Sequence, residues 1–426
     1  MDGYFLSVAA FFRSEGMIGV AGLILPLILF EFPRFVLMAF ALIWYREPRP
    51  PQGYRPPPYT VALVGHNEGN RIANCVRSLE QQSFPPAEII VVSDGSTDEM
   101  PAKLKALQSS GRIAAYHRLE LRGGRSAATN LACLNARNEV IVSIDSDTSF
   151  DRHAMRNIIF RLEDPEVAGV SGNILARNAG ASFLAEIQNL EYRLCIGAGR
   201  SGLDMINQLS LVSGAFGAYR RSAIQRVSGM DAVSGEDLDF SLRLRRAGYR
   251  IAFARNAICR TDVPTRIGTL IRQRYRWERD SYALRMRRHG AVFNPRSPHF
   301  TMRNLVSGLD FFLFDLTAVI ILPFFILAMV EYYGQEVFAL LALFLMAYAL
   351  LDGLIIIFDG AANAEGEGGA ALRLIPAYTL YNMLLIRLLR ILAYSSEMLF
   401  RASELDDFVP SKVKRASSGA KRTMAS

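Results

Sequence analysis

Three short runs rich in β-branched residues alternate with helical patterns, and each run stops at a polar cluster. This rhythm limits the fold more than any other feature of the chain. Tyr59–Gly65 (YTVALVG) precedes a helical pattern over Arg71–Gln82. Glu88–Val92 (EIIVV) runs into Ser93-Asp94-Gly95-Ser96-Thr97-Asp98, followed by a helix predicted from about Met100 to Ser109. Glu139–Ile144 (EVIVSI) delivers Asp145. Such alternation predicts an α/β fold, a mostly parallel sheet with helices on both faces. Ligands of these sheets bind beyond the carboxyl ends of the strands. There the chain places Asn67 and Glu68 after the first strand, Asp94 after the second, and Asp145 and Asp147 after the third.

The composition is 51% hydrophobic with mean hydropathy +0.17, and the apolar excess lies at the two ends, about 16–45 and about 304–396. The middle, roughly 58–300, has ordinary globular composition and ample length for one core. Met17 to Tyr45 is too long for a signal-peptide core and lacks a small-residue cleavage site. It reads as one spanning helix, with the Glu31–Arg34 interruption kinked within protein or lying at the interface. Arg46, Arg49 and Arg55 follow it, so the positive-inside rule puts residue 46 onward in the cytoplasm. The proline-dense stretch Arg46 to Pro58 reads as a stiff spacer.

Toward the other end, Leu316 to Val330 and Val337 to Phe358 read as two spans joined by the turn Tyr332–Gln335. The stretch Leu305–Asp315 carries Asp310 and Asp315 and reads as interfacial. Leu372 to Met398 contains Arg373, Arg387 and Arg390, which suits an amphipathic helix lying on the inner surface. The net charge is +8, with basic clusters at Arg285, Arg287 and Arg288 and in the tail at Lys412, Lys414 and Arg415. Beside apolar segments these are expected to meet anionic lipid headgroups; no nucleic-acid recognition motif accompanies them. Cys75, Cys133, Cys195 and Cys259 are far apart and are expected to be buried free thiols of a reducing compartment, not zinc ligands.

The polar clusters suit particular chemistry. Asp145 and Asp147, two apart around Ser146, are oxygen ligands of the kind Mg²⁺ or Mn²⁺ shares with phosphate oxygens; the same pair also suits an Asx turn. Asp94 in SDGSTD is placed for a nucleotide's base and ribose, while Asp-Gly is equally a turn signal. Gly235-Glu236-Asp237-Leu238-Asp239 opens an amphipathic helix. Acids there ordinarily complement the helix dipole, but a carboxylate in that place can also take a proton from an attacking hydroxyl. Asp237 is the choice for that base, with Glu236 beside it. Gln273, Arg276 and Trp277 share helical spacing in TLIRQRYRWERD, where arginine can clamp a diphosphate and the indole offers a flat face to a sugar ring. Gly123-Gly124-Arg125-Ser126 is a glycine-rich turn whose Arg125 is a candidate phosphate contact.

The order VALVGHNEG, VVSDGSTD, GGRSAATN, SIDSDTS, LVSGAFGAYRRSAI, SGEDLDFSLRLRRAGYR, TDVP and QRYRW resembles the processive, inverting family 2 glycosyltransferases. These include bacterial hyaluronan, chitin-oligosaccharide, poly-N-acetylglucosamine and cellulose synthases, and the resemblance covers roughly residues 58–285. It implies a GT-A type nucleotide-sugar-binding domain flanked by transmembrane and interfacial helices. It also implies that Asp94 contacts the nucleotide, that Asp145 and Asp147 hold metal and diphosphate, and that Asp237 is the base. Gln273, Arg276 and Trp277 then complete a Q-x-x-R-W signature that closes over the diphosphate and supports the acceptor's terminal sugar. The chain departs from the family where Ser93-Asp94 replaces two adjacent aspartates and where Gly124-Arg125 replaces Gly-Lys. No cyclic-di-GMP-binding domain is visible after the last apolar segment.

The resulting expectation is an inner-membrane, multi-pass hexosyltransferase. It extends an extracellular polysaccharide from a UDP-sugar (UDP-GlcNAc or UDP-Glc) with Mg²⁺ or Mn²⁺. Its domains are 1–57 (transmembrane helix and spacer), 58–285 (cytosolic catalytic domain), 286–400 (interfacial and transmembrane helices) and 401–426 (basic tail). Homo-oligomers and secretion partners remain open. The rivals are a non-processive transferase acting once on a lipid acceptor and a catalytically silent membrane scaffold.

Overall fold

The computed structural model describes residue 29 and residues 31–231, 233–362 and 371–405. Residues 17–28 of the expected N-terminal span, and the basic tail at Lys412, Lys414 and Arg415, lie outside the described residues. The predicted alternation forms the first half of the sheet. β1 (Tyr59–Gly65), β2 (Glu88–Asp94), β3 (Ala115–Leu119) and β4 (Val140–Asp145) are all parallel, in the order β3-β2-β1-β4. Helix α1 (Phe32–Ile43) precedes them, and α2 (Ile72–Glu80), α3 (Met100–Ser109) and α4 (Arg125–Asn135) make the crossovers.

Side-chain alternation along a strand divides the core into two layers. Val61 and Leu63 pack with Ile72, Val76 and Leu79 of α2 and Met100 and Leu104 of α3. Ala62 and Val64 face the other side, with Ala128 and Ala132 of α4. Because both faces are covered, β1 is buried along its whole length, which explains its nearly continuous apolar sequence.

The second half of the sheet is mixed. After β5 (Ser149–Phe150) and α5 (Ala154–Phe160), β6 (Val167–Ala176) leads into α6 (Phe183–Glu191). This helix continues through a π-helical stretch, Tyr192–Gly199, into α7 (Arg200–Met205). β7 (Phe216–Arg220) then inserts antiparallel between β4 and β6. Helices α8 (Arg221–Arg226) and α9 (Glu236–Arg246) precede β8 (Arg250–Thr261), which runs parallel to β6 and antiparallel to β5. Gly172 makes the β6–β7 approach possible, since a Cβ there would stand 2.1 Å from the Phe216 ring.

Helix α10 (Ile267–Tyr282) leads to the apolar C-terminal part: α11 (Met302–Phe311), α12 (Ala318–Tyr333), α13 (Val337–Ala362), α14 (Ile375–Leu380) and α15 (Arg387–Phe400). Among the described residues one helical run, Met302–Ala361, is long and apolar enough to cross a membrane. It reverses at Gly334–Glu336, where Gly334 has φ 54°, so that Phe325 and Phe344 meet edge to face at 6.4 Å. Helix α15 leaves Leu388, Leu392 and Leu399 exposed on one side.

Charges in the apolar segments find one another. Arg34 of α1 pairs with Asp315 at 2.7 Å and Asp310 at 3.4 Å, and Arg387 pairs with Glu31. Arg390 of α15 reaches Asp315 at 3.0 Å and Glu278 of α10 at 2.9 Å. Asp359 of α13 pairs with Arg193 at 2.8 Å and Arg255 of β8 at 2.6 Å. Such pairing offsets the desolvation cost of each charge and ties the apolar helices to the sheet domain.

Two expectations need correction. The cluster at residues 285–288 is not reserved for lipid: Arg287 pairs with Glu397 and Glu404, Arg288 with Asp231 and Asp239, and Arg285 donates to Ser210 Oγ at 3.0 Å. Those carboxylates come from distant sequence, so a local charge count misses them. Cys195 is exposed on the π-helical stretch, whereas Cys75, Cys133 and Cys259 are buried free thiols as expected.

Candidate active site

The polar residues converge where β1, β2 and β4 end. Asn67, in the left-handed region at φ 57°, accepts hydrogen bonds from the amides of Thr97 and Asp98 at 2.8 and 3.3 Å. Its side chain therefore shapes the loop leaving β2. Asp94 is buried, and its carboxylate accepts from the amides of Gly123 and Gly124 at 2.6 and 2.9 Å. This bond to a distant glycine turn anchors the start of α4, where Arg125 begins the helix.

Arg125 links the strand ends to the second half of the domain. Its Nε and Nη2 meet Asp145 at 3.0 and 2.9 Å, and its Nη1 meets Glu236 of α9 at 2.8 Å. A further bond goes to the Gly214 carbonyl, and a Cβ on residue 214 would stand 2.4 Å from the guanidinium, so a side chain there would have to displace Arg125. Burial alone disfavours the cation, but Asp145 and Glu236 more than offset it and raise the Arg125 pKa. Arg125 thus joins a carboxylate at the end of β4 to one at the start of α9.

Glu236, Asp237 and Asp239 share the first turn of α9 and have different environments. Asp239 is fully buried and accepts from Arg243, Arg288 and His289, which hold its carboxyl below the usual range against the effect of burial. Asp237 accepts from two amides among the described residues, Gly214 at 3.1 Å and Leu238 at 2.8 Å. Burial, with the neighbouring Glu236 charge, pushes Asp237 up to about 6 despite Arg125. Among the described residues no cation stands at ion-pair distance from Asp237, and a hydrogen-bonded carboxylate raised in this way suits general-base chemistry. Arg200 of α7 donates to Ser171 Oγ at 2.6 Å and feels the Asp237 charge, while its burial lowers its pKa to about 10.

Asp147 is raised to about 6 by burial and then by the charges of Asp145 and Glu68, with Arg71 opposing. Three carboxylates within electrostatic reach form an anionic focus that a divalent cation would relieve, and Asp145 and Asp147 are oxygen donors of the right kind. Among the described residues no group of three or more His, Cys, Asp or Glu side chains is gathered at metal-binding distance. An ion held by Asp145 and Asp147 would have to complete its shell with water or phosphate oxygens. Beside Asp147 a cavity of about 340 Å³ is lined by Arg71, Asn74, Cys75, Thr148, Ser149 and Arg177. Asp262 of the TDVP segment bonds Arg177 at 2.8 Å and Arg71 at 3.4 Å. Neither arginine stands in a motif of its own; their convergence on Asp262 marks them.

Helix α10 docks against the start of α9. Ser234 Oγ donates to Asp280 at 2.6 Å, and a Cβ on Gly235 (φ 73°) would lie 3.2 Å from the Asp280 side chain. Trp277 lies three residues before Asp280 on the same helix and is 40% exposed. Gln273 has a buried side-chain oxygen without a hydrogen-bond partner among the described residues, an atom that a bound ligand could satisfy. Arg276 lies on the same helix, half-buried, within electrostatic reach of Asp280.

A strand-end acid pair, a sheet parallel on one side and mixed on the other, and a poised acid at a helix start define a GT-A type glycosyltransferase fold. The model of the glycosyl transferase family group 2 matches residues 140–356, half of the chain, and the protein belongs to that family. It is 29% identical over 239 residues to an N-acetylglucosaminyltransferase of Azorhizobium caulinodans, covering 53% of this chain and 60% of that protein. It is 28% identical over 230 residues to a poly-beta-1,6-N-acetyl-D-glucosamine synthase of Staphylococcus aureus, covering 54% of this chain and 55% of the relative. The match thus spans little more than half the length of these curated relatives. A mannosyltransferase from Pyrobaculum calidifontis, solved with GDP-Man and Mn²⁺, superposes with TM-score 0.60 over 86% of this chain and 95% of its own, at 21% identity.

Proposed function

We propose that this protein is a membrane-associated inverting hexosyltransferase that extends a polysaccharide from a UDP-sugar at the cytoplasmic face. The observation that carries the reading is the Asp145–Arg125–Glu236 bridge beside an Asp237 raised to about 6. It supports a reading in which Asp145 and Arg125 border the diphosphate and Asp237 is the proton acceptor. Asp237 takes the proton from the acceptor hydroxyl as that oxygen attacks the anomeric carbon and the diphosphate leaves from the opposite side, so one C–O bond forms as another breaks. Asp145 and Asp147 are the residues that would hold Mg²⁺ or Mn²⁺, which when bound offsets charge on the departing diphosphate.

Asn67, Glu68, Asp94 and Arg125 frame the nucleotide side. Asp94 acts there through the 123–124 turn it holds, and Arg125 through its grip on Asp145. Gln273 and Arg276 face the diphosphate, and Trp277 offers its ring to the terminal sugar of the acceptor. The two relatives are named for N-acetylglucosamine transfer and polymerisation, which favours UDP-GlcNAc over UDP-Glc as donor. Residues 58–285 form the cytosolic catalytic unit, and the Met302–Ala361 run with the exposed leucines of α15 seats it on the bilayer.

The test is incubation of membranes carrying the protein with labelled UDP-GlcNAc and UDP-Glc, reading UDP release and product size. Long polymer from UDP-GlcNAc is expected. A single short glycolipid would rule out polymerisation while keeping transfer, and no UDP release with any sugar nucleotide would remove the enzyme reading.

A further inference from the structure

Arg274 stands at the first x of the Q-x-x-R-W segment, and the chemistry above leaves it unused. It is nevertheless among the most constrained cations of the domain. Its guanidinium carbon stands 4.5 Å from the Trp277 ring centre and 5.6 Å from that of Tyr192. Its Nη2 donates to Glu191 at 2.7 Å, with the two side chains only 9% and 14% exposed. The same Glu191 oxygen accepts from the Tyr381 hydroxyl at 2.9 Å. Tyr381 belongs to the segment between α14 and α15, beyond the apolar helices. A continuous chain of contacts therefore runs from that segment through α6 to the indole.

We infer that Arg274, held by Glu191 and Tyr381, is a positioning residue that sets the plane of the Trp277 ring. The inference rests on the reading that Trp277 carries the acceptor sugar. One indole face is backed by a flat, permanently charged group, and Trp277 still has 40% of its surface exposed for a ligand. Planarity matters because guanidinium stacks on an aromatic face while an ammonium acts as a point charge. The Glu191 carboxylate fixes the guanidinium's rotation, and Tyr381 fixes the carboxylate. By this route the membrane-side segment controls how the acceptor sugar is presented to Asp237.

The chain has two tryptophans. Trp44, 62% exposed at the end of α1 against Phe40, lies outside the site. In a Trp44→Phe background Trp277 is the sole indole reporter of the full-length protein in detergent. Arg274→Lys is expected to increase acrylamide quenching of Trp277 and to raise the KM for acceptor roughly five- to thirtyfold, the range of a desolvated cation–π contact. The KM for donor and kcat should stay unchanged. Glu191→Gln and Tyr381→Phe should move both readouts in the same direction by less, and they stand in if Arg274→Lys does not fold. Unchanged quenching in the folded variants would overturn the inference, as would equal changes in donor KM, acceptor KM and kcat. Altered quenching in a protein that transfers no sugar would keep the Arg274–Trp277 coupling and refute the acceptor reading instead.

Discussion

Asp145 and Trp277 are held in place by different means. Asp145 is the last residue of β4, and its place follows from a six-residue strand locked between β1 and β7. Trp277 rides on a helix whose bearing depends on partners far away in the chain. Glu191 lies 83 residues before Arg274, and Arg390 lies 112 residues after Glu278. The strand-end half of the site is thus a product of local pattern and sheet register. The α10 half is assembled by ion pairs and ring contacts among segments that do not neighbour one another in sequence. Failure in the first half should remove chemistry, and failure in the second should loosen presentation of the acceptor.

The contrast can be broken at several points. Asp237→Asn should lower transfer by about 10²–10⁴-fold, the usual worth of a positioned base. Folding should be preserved, because a site that already disfavours the charge tolerates a neutral amide; unchanged UDP release would remove Asp237 from the mechanism. Asp147→Asn, or chelation of divalent ions, should cost at least roughly 100-fold, since even outer partners of metal ligands are worth 10–100-fold. Excess Mg²⁺ or Mn²⁺ should restore the chelated protein, with donor binding followed by calorimetry.

The pH profile is the next largest effect. The base must be ionised, so the rate should fall about tenfold per unit below about 6 and level off above it. Asp147, also near 6, should add a loss that excess metal corrects, whereas the Asp237 limb should persist. Both acids are raised in the folded state, so each binds its proton more tightly folded than unfolded. Their contribution to stability grows as pH falls from 7 toward 5, and lost rate in that window would not reflect unfolding. Thermal melts across the same range check this directly.

Arg390→Leu acts on the other half. It removes the cation shared by Glu278 and Asp315, of which Asp315 keeps Arg34, and should destabilise the fold by about 3 kcal/mol, the low end for a broken buried pair. The effect should fall on acceptor KM more than on donor KM. Equal changes in both would mean that the two halves are not mechanically separate.

Much of the first half was legible in the sequence. The runs at 59–65, 88–92 and 139–144 became β1, β2 and β4, because strands buried on both faces must be apolar throughout and must end where the sheet does. The helix opened by Gly235-Glu236-Asp237 and the turn between the apolar helices also lie where pattern put them. The insertion of β7 antiparallel between β4 and β6 was not legible, because strand order is a choice among distant pairings of similar local sequences. Nor was the internal use of Arg287 and Arg288, or the exposure of Cys195.

Periodicity and residue type determined which segments could be strands, which could enter lipid, and which acids stand at strand and helix ends, because those properties depend on neighbours a few residues apart. Tertiary structure alone decided how the three acids of one helical turn differ. Asp239 meets Arg243, Arg288 and His289, while Asp237 meets two amides and the charge of Glu236. A carboxylate's proton affinity is set by the groups that fold around it, and these come from the whole chain.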